Sequence, residues 1–184
     1  MKVERLAIPD LVLIVPRRFA DERGHFAETY AARRFADIGI DRPFVQDNQS
    51  LSRAAGTLRG LHCQIAPFAQ GKLVRVLRGS IWDVAVDIRG GSPSYGKWEA
   101  VTLTASGGEQ LWIPPGFLHG FLTLESDTEI FYKVTRDYNP ASERGVIWND
   151  PSLAISWPWR GTPILSDKDK VLPTFAAARG GFAA

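Results

Sequence analysis

The 184-residue chain is long enough for one domain with a substantial core, and its 45% hydrophobic and 23% charged residues exclude a disordered or fibrous chain. A net charge of +2, with Lys and Arg dispersed along the chain, gives no electrostatic footprint for nucleic acid. The single cysteine, Cys63, excludes an intrachain disulfide and a multi-cysteine zinc site, and fits a reducing compartment.

The first apolar run, Leu11 to Val15, is too short for a signal-peptide core or a membrane span, so a soluble, cytoplasmic chain is expected. That run reads as a strand. Ala31 to Ile38 predicts a helix, with Ala31, Phe35 and Ile38 three or four apart and Gly39 as its C-terminal cap. Further strands are predicted over 44–49, 57–64, 72–78, 80–88, 98–105, 109–113, 119–125 and 129–135, and their spacing suits an antiparallel sandwich or barrel. The clearest alternation puts Trp82, Val84, Val86 and Ile88 on one face, with Asp83 and Asp87 on the other. Arg78-Gly79-Ser80 is predicted as a tight hairpin turn. Beyond Tyr138 the chain is irregular, interrupted by Pro140, Pro151, Pro158, Pro163 and Pro173. One domain is expected over 1–175, and the Ala/Gly-rich stretch 176–184 is expected to be a mobile tail.

Two segments carry the spacing of cupins, small jelly-roll β-barrels. Gly108, five residues, Pro114-Pro115-Gly116, two residues and His119 form the second motif; Gly56, five residues and His62 open the first. A metal-binding cupin continues with a second histidine and a glutamate. Here Gln64 stands at the first of these positions, and Lys72 near the second brings an ammonium with no lone pair to give. The expected fold is therefore an all-β, cupin-type jelly-roll barrel with a few short helices, without a metal. On a strand over 57–64, His62 shares a face with Leu58, Gly60 and Gln64, neighbours that suit both a cavity lining and plain packing. Cys63 points the other way and reads as packing rather than as a nucleophile.

Many ordered blocks of this chain resemble the dTDP-4-dehydrorhamnose 3,5-epimerase family (dTDP-4-keto-6-deoxyglucose 3,5-epimerases) from about residue 2 to 175. They are Asp21-Glu22-Arg23-Gly24-His25-Phe26, Phe44-Val45-Gln46-Asp47-Asn48, Leu58-Arg59-Gly60-Leu61-His62 and Gln70-Gly71-Lys72-Leu73-Val74-Arg75-Val76. Gln110 to Phe117, His119-Gly120-Phe121, Tyr132-Lys133, Glu143-Arg144-Gly145 and Leu165-Ser166-Asp167-Lys168-Asp169 complete the set.

The resemblance implies a nucleotide-linked 4-keto sugar as substrate, no cofactor, and four catalytic residues. His62 is implied as the base, a group that titrates near neutrality, with Asp169 as its paired carboxylate. Lys72 is implied to face the C4 oxygen where enolate charge develops, and Tyr132 to be the acid. Arg23 and Lys168 are implied near the diphosphate and Tyr138 against the thymine ring. Phe26, Glu28, Gln46, Asp47, Asn48, Arg59, His119 and Glu143 match other ligand-contacting positions. The segment Arg23 to Glu28 is implied to reach a partner subunit, so that a homodimer completes each site. Departures from the family pattern at Gln49, at Cys63 and at Arg136-Asp137 remove no residue with an assigned role. They leave open an epimerase acting at C3 or C5 alone. A non-catalytic sugar-nucleotide binder and a metal-dependent oxygenase are the rival classes.

Overall fold

The computed structural model describes residues 1–182. Strands β1 (Lys2–Arg5), β2 (Val12–Val15), β3 (Arg18–Asp21) and β4 (Gly24–Ala27) precede a short helix, α1 (Ala32–Ala36). The body follows as β5 (Gln46–Ser52), β6 (Leu58–Gln64), β7 (Lys72–Arg78), β8 (Ser80–Asp87), β9 (Trp98–Thr104), β10 (Gln110–Ile113), β11 (Phe117–Thr123) and β12 (Thr128–Val134). Strand β13 (Glu143–Gly145) and helices α2 (Asp167–Lys170) and α3 (Phe175–Ala178) close the chain. The strands pair antiparallel in two sheets, β1-β2-β10-β7-β12-β5 and β13-β6-β11-β8-β9, with β3 and β4 as a separate hairpin. This is the all-β, cupin-type jelly-roll barrel that the spacing predicts.

Three apolar clusters hold it together. Between the sheets, Val74, Val76, Leu111, Ile113 and Ile130 of one meet Ile81, Ala85, Leu103, Phe117 and Phe121 of the other. Outside the first sheet, α1 lays Phe35 on Val12, Ile14, Leu73 and Trp112. Outside the second, the segment after β13 brings Val146, Leu153 and Phe175 onto Leu61, Val84, Val86 and Leu118. The central strands are thus covered on both faces, which explains why β11 is buried along its whole length. The alternation of β8 persists under this double cover. Val84 and Val86 face the outer cluster, with Trp82 stacked edge-on against Trp98 and Trp157, while Asp83 faces the barrel interior. Asp87, fully buried, accepts from Arg89, Ser92 and Ser94 and ties down the loop after β8.

The turn at Gly79 is not a hairpin. Strand β7 pairs with β10 and β12, and β8 with β11 and β9, so Arg78-Gly79-Ser80 is the corner where the chain leaves one sheet for the other. Gly79 has φ +76°, and a Cβ there would stand 2.4 Å from Thr128 Oγ1. Strands β1, β3, β4 and β13 and helices α2 and α3 are elements that the apolar pattern does not predict. Much of the stretch expected as a tail is helical or packed: Phe175 is buried and the Phe182 ring lies 6.0 Å from it. Ala183 and Ala184 lie outside the described residues. No helix among the described residues is long and apolar enough to cross a membrane.

Candidate active site

The inward faces of both sheets converge on a cavity of about 520 Å³, adjoining a second of about 280 Å³. His62, Lys72 and Tyr132 line both. His62 stands on β6 and His119 on β11 of one sheet, directly opposite each other in register. Lys72 opens β7 and Tyr132 lies in β12 of the other sheet. The alternation of β5 turns Gln46, Asn48 and Ser50 inward, while Asp47 turns out and pairs with Lys133 at 2.9 Å.

Asp169 reaches the cavity from α2, where Ser166 caps the helix by accepting the Asp169 amide at 3.1 Å. Its Oδ1 lies 2.6 Å from His62 Nε2. A carboxylate only accepts, so Nε2 carries the proton and the lone pair of neutral His62 is on Nδ1. Burial would raise the Asp169 carboxyl. The His62 bond, Ser166 and the Gly60 amide together hold it below the usual carboxylate range. A second carboxylate–imidazole pair stands beside the first: Asp83 accepts from His119 Nε2 at 2.9 and 3.0 Å. Burial lowers the His119 pKa, against the pull of Asp83, and keeps the ring neutral. Burial likewise lowers the Lys72 ammonium from the ordinary lysine value, opposed by Asp83 and Glu143, and raises the Tyr132 phenol, which stays protonated.

Among the described residues, His62 Nδ1, His119 Nδ1, Lys72 Nζ and the Tyr132 hydroxyl have no hydrogen-bond partner, yet no enclosed side-chain polar atom lacks one. All four therefore border open space in the cavity. The arrangement can take a proton, stabilise an anionic oxygen and give a proton back. No group of three or more His, Cys, Asp or Glu side chains fit to hold a metal ion occurs among the described residues. Cys63 packs in the outer cluster with its thiol pushed up to about 11 by burial, the wrong direction for a nucleophile.

At the mouth, Glu143 joins Lys168 at 2.5 Å and accepts from the Tyr138 hydroxyl at 2.9 Å. Gln46 accepts from the Tyr138 amide and donates to Asn48. Arg59 borders the larger cavity near Ser50. Arg23, Phe26 and Glu28 stand apart from it: Arg23 and Phe26 are exposed on the β3–β4 hairpin, and Glu28 just after it pairs with Arg34.

Two site residues escape the sequence reading. Gln64, at the vacated histidine position, binds the Phe68 and Asp137 carbonyls and the Asn139 amide, and so anchors the loop that carries Tyr138. Asp83 is visible in the sequence only as the polar face of an alternating strand. Its partner lies on another strand, out of reach of local pattern.

Residues 5–177 match the family model described as dTDP-4-dehydrorhamnose 3,5-epimerase. A curated dTDP-4-dehydrorhamnose 3,5-epimerase of Pseudomonas aeruginosa is 51% identical over 179 residues, 97% of this chain and 98% of the relative. The dTDP-4-dehydrorhamnose 3,5-epimerase of Bacillus anthracis, solved with TDP and PPi bound, superimposes with a TM-score of 0.92 at 46% identity, covering 95% of this chain and 99% of that one. The dTDP-6-deoxy-D-glucose-3,5-epimerase of Legionella pneumophila, in complex with dTDP-4-keto-L-rhamnose, gives 0.90 at 45%, covering 94% and 92%. On sequence and on fold alike, the chain belongs to the dTDP-4-dehydrorhamnose 3,5-epimerase family of isomerases.

Proposed function

We propose that the chain inverts C3 and C5 of dTDP-4-dehydro-6-deoxy-D-glucose to form dTDP-4-dehydro-L-rhamnose, in the cytoplasm, as a step of dTDP-L-rhamnose biosynthesis. The observation that carries this reading is the His62–Asp169 pair on one wall of the cavity with Tyr132 on the other wall and beside both the Lys72 ammonium, which has no partner among the described residues. The C4 ketone acidifies the hydrogens on C3 and C5. His62 Nδ1 takes one of them as a proton, and Asp169 stabilises the imidazolium that results. Lys72 stabilises the enolate oxygen, an interaction stronger in the transition state than in the ground state. Tyr132 returns a proton to the opposite face of the carbon and is replenished by solvent. One proton leaves and one arrives at each centre, so the reaction balances without a cofactor.

Tyr138 stacks on thymine, Lys168 lies at the diphosphate together with Arg23, and Gln46, Asp47, Asn48, Arg59, His119 and Glu143 supply the remaining polar contacts. In a homodimer, the partner's Arg23, Phe26 and Glu28 complete each site. The exposed Phe19 and Phe26, cross-strand neighbours on the hairpin, support that reading as apolar surface for a second copy.

Incubation with dTDP-4-keto-6-deoxyglucose in D₂O tests the proposal. Deuterium at both C3 and C5, with the inverted sugar captured by a downstream reductase, is the expected result. Label at one carbon only assigns single-centre inversion, and no label from folded protein refutes the activity.

A further inference from the structure

Asp83 has a role that the proton transfers above do not use. Its carboxylate is fully buried, and among the described residues its side chain bonds only to His119. A fully buried carboxyl group whose only hydrogen-bond partner among the described residues is an imidazole is costly, even with the Lys72 ammonium near enough to act on it, and an apolar residue of similar size would fill the same space without that cost. The pairing does fix one thing, the tautomer. Both carboxylate oxygens accept from Nε2, so Nε2 holds the hydrogen and Nδ1 holds the lone pair. Among the described residues Nδ1 has no hydrogen-bond partner, and it borders the cavity. His119 also stands directly across the ladder from His62, and such cross-strand neighbours have Cβ atoms about 5 Å apart. An acceptor therefore stands within a sugar ring's width of the base.

We propose that Asp83 is a positioning residue that locks His119 in its Nε2–H tautomer and thereby presents Nδ1 as a hydrogen-bond acceptor for a hydroxyl of the bound sugar. The inference rests on the 4-keto sugar nucleotide as substrate. Apart from the ketone, such a sugar carries free hydroxyls only at C2 and C3, and a fixed acceptor for one of them holds the ring while the base works beside it. A histidine free to change tautomer would offer a donor half the time, and a ketone oxygen could then bind where a hydroxyl should.

The chain holds three histidines, so long-range proton–nitrogen correlation spectra of the full-length protein are readily assigned with a His119→Ala variant. Wild-type His119 is expected as the Nε2–H tautomer with Nδ1 unprotonated, and Asp83→Asn, whose amide can also donate, is expected to lose that preference. The kcat/KM of Asp83→Asn should fall about 10- to 100-fold. In the His119→Ala background the same exchange should alter kcat/KM less than about twofold, which a merely structural role would not produce. An Nδ1–H tautomer in the wild type, an unchanged tautomer in Asp83→Asn, or an undiminished loss in the His119→Ala background would overturn the proposal. Once assigned with His119→Ala, the wild-type spectrum needs neither Asp83→Asn nor substrate, so an Nδ1–H tautomer there overturns the proposal even if Asp83→Asn does not fold. Deuterium exchange by the wild type separately reports whether the substrate reading stands.

Discussion

Replacing His62 by Asn removes the lone pair that faces the cavity while keeping a polar neighbour for Asp169. Turnover followed through a coupled reductase should drop by about 100-fold or more; activity within tenfold of wild type would remove His62 from the role of base. Tyr132→Phe separates the two proton transfers. The base still works, so deuterium should enter the sugar slowly with retention, while inverted product falls by about 100-fold. Equal loss of exchange and inversion would mean that the phenol acts before the carbanion forms. The burial-raised phenol and the burial-lowered ammonium both follow from removal of these side chains from bulk water, an environment in which donors aimed at developing charge act most strongly.

At the scale of the element, Asp87 offers a pH test. Its folded pKa is about 2 against an unfolded value of 3.8, through its bonds to Arg89, Ser92 and Ser94, which outweigh the cost of burial. A depressed carboxyl contributes stability above the unfolded value, and that stability is lost as pH falls through the folded one. Asp87→Asn should therefore be less stable at pH 7, by roughly 1–2 kcal/mol after allowance for screening, with the gap closing from pH 4 downward in urea titrations. A gap that stays constant with pH would assign the effect to packing. Gly60→Ala probes the β6–β11 seam: its Cβ would stand 2.6 Å from Gly120 Cα and 2.7 Å from the His119 carbonyl, and backbone cannot step aside. Melting curves should show a loss of about 1–3 kcal/mol, together with lower activity from the displaced histidines. The long strands were readable because their apolar residues pack against both the interior and a cover. By contrast, β1 and most of β3 and β4 are exposed, and β13 is three residues long, so they left no apolar period. At Gly79 the local sequence predicts a hairpin and the structure makes a corner, because turn chemistry is local whereas the choice between the two belongs to strands far along the chain.

For the whole molecule, the site as one chain builds it lacks the hairpin residues, since Arg23 is exposed and tied to Asp21. If a second copy supplies Arg23, mixing inactive Arg23→Ala with inactive His62→Ala should restore activity, because one of the two sites in each mixed dimer is intact. Absence of rescue under exchange conditions would place Arg23 in its own chain's site. The histidines and Lys72 could be singled out from cupin spacing, but the carboxylates that orient the rings could not be derived from spacing. Asp169 was matched through family resemblance, and Asp83 only by seeing the barrel closed. His62 and Asp169 lie 107 residues apart. In chain order α2 follows all thirteen strands, so the ring of His62 gains its orienting carboxylate only when this late segment docks on β6. A chain stopped or cut just before Asp169 loses in one stroke the carboxylate that orients the base and the Phe175 side chain that helps cover the sheet carrying it, so proteolysis there removes chemistry and cover together.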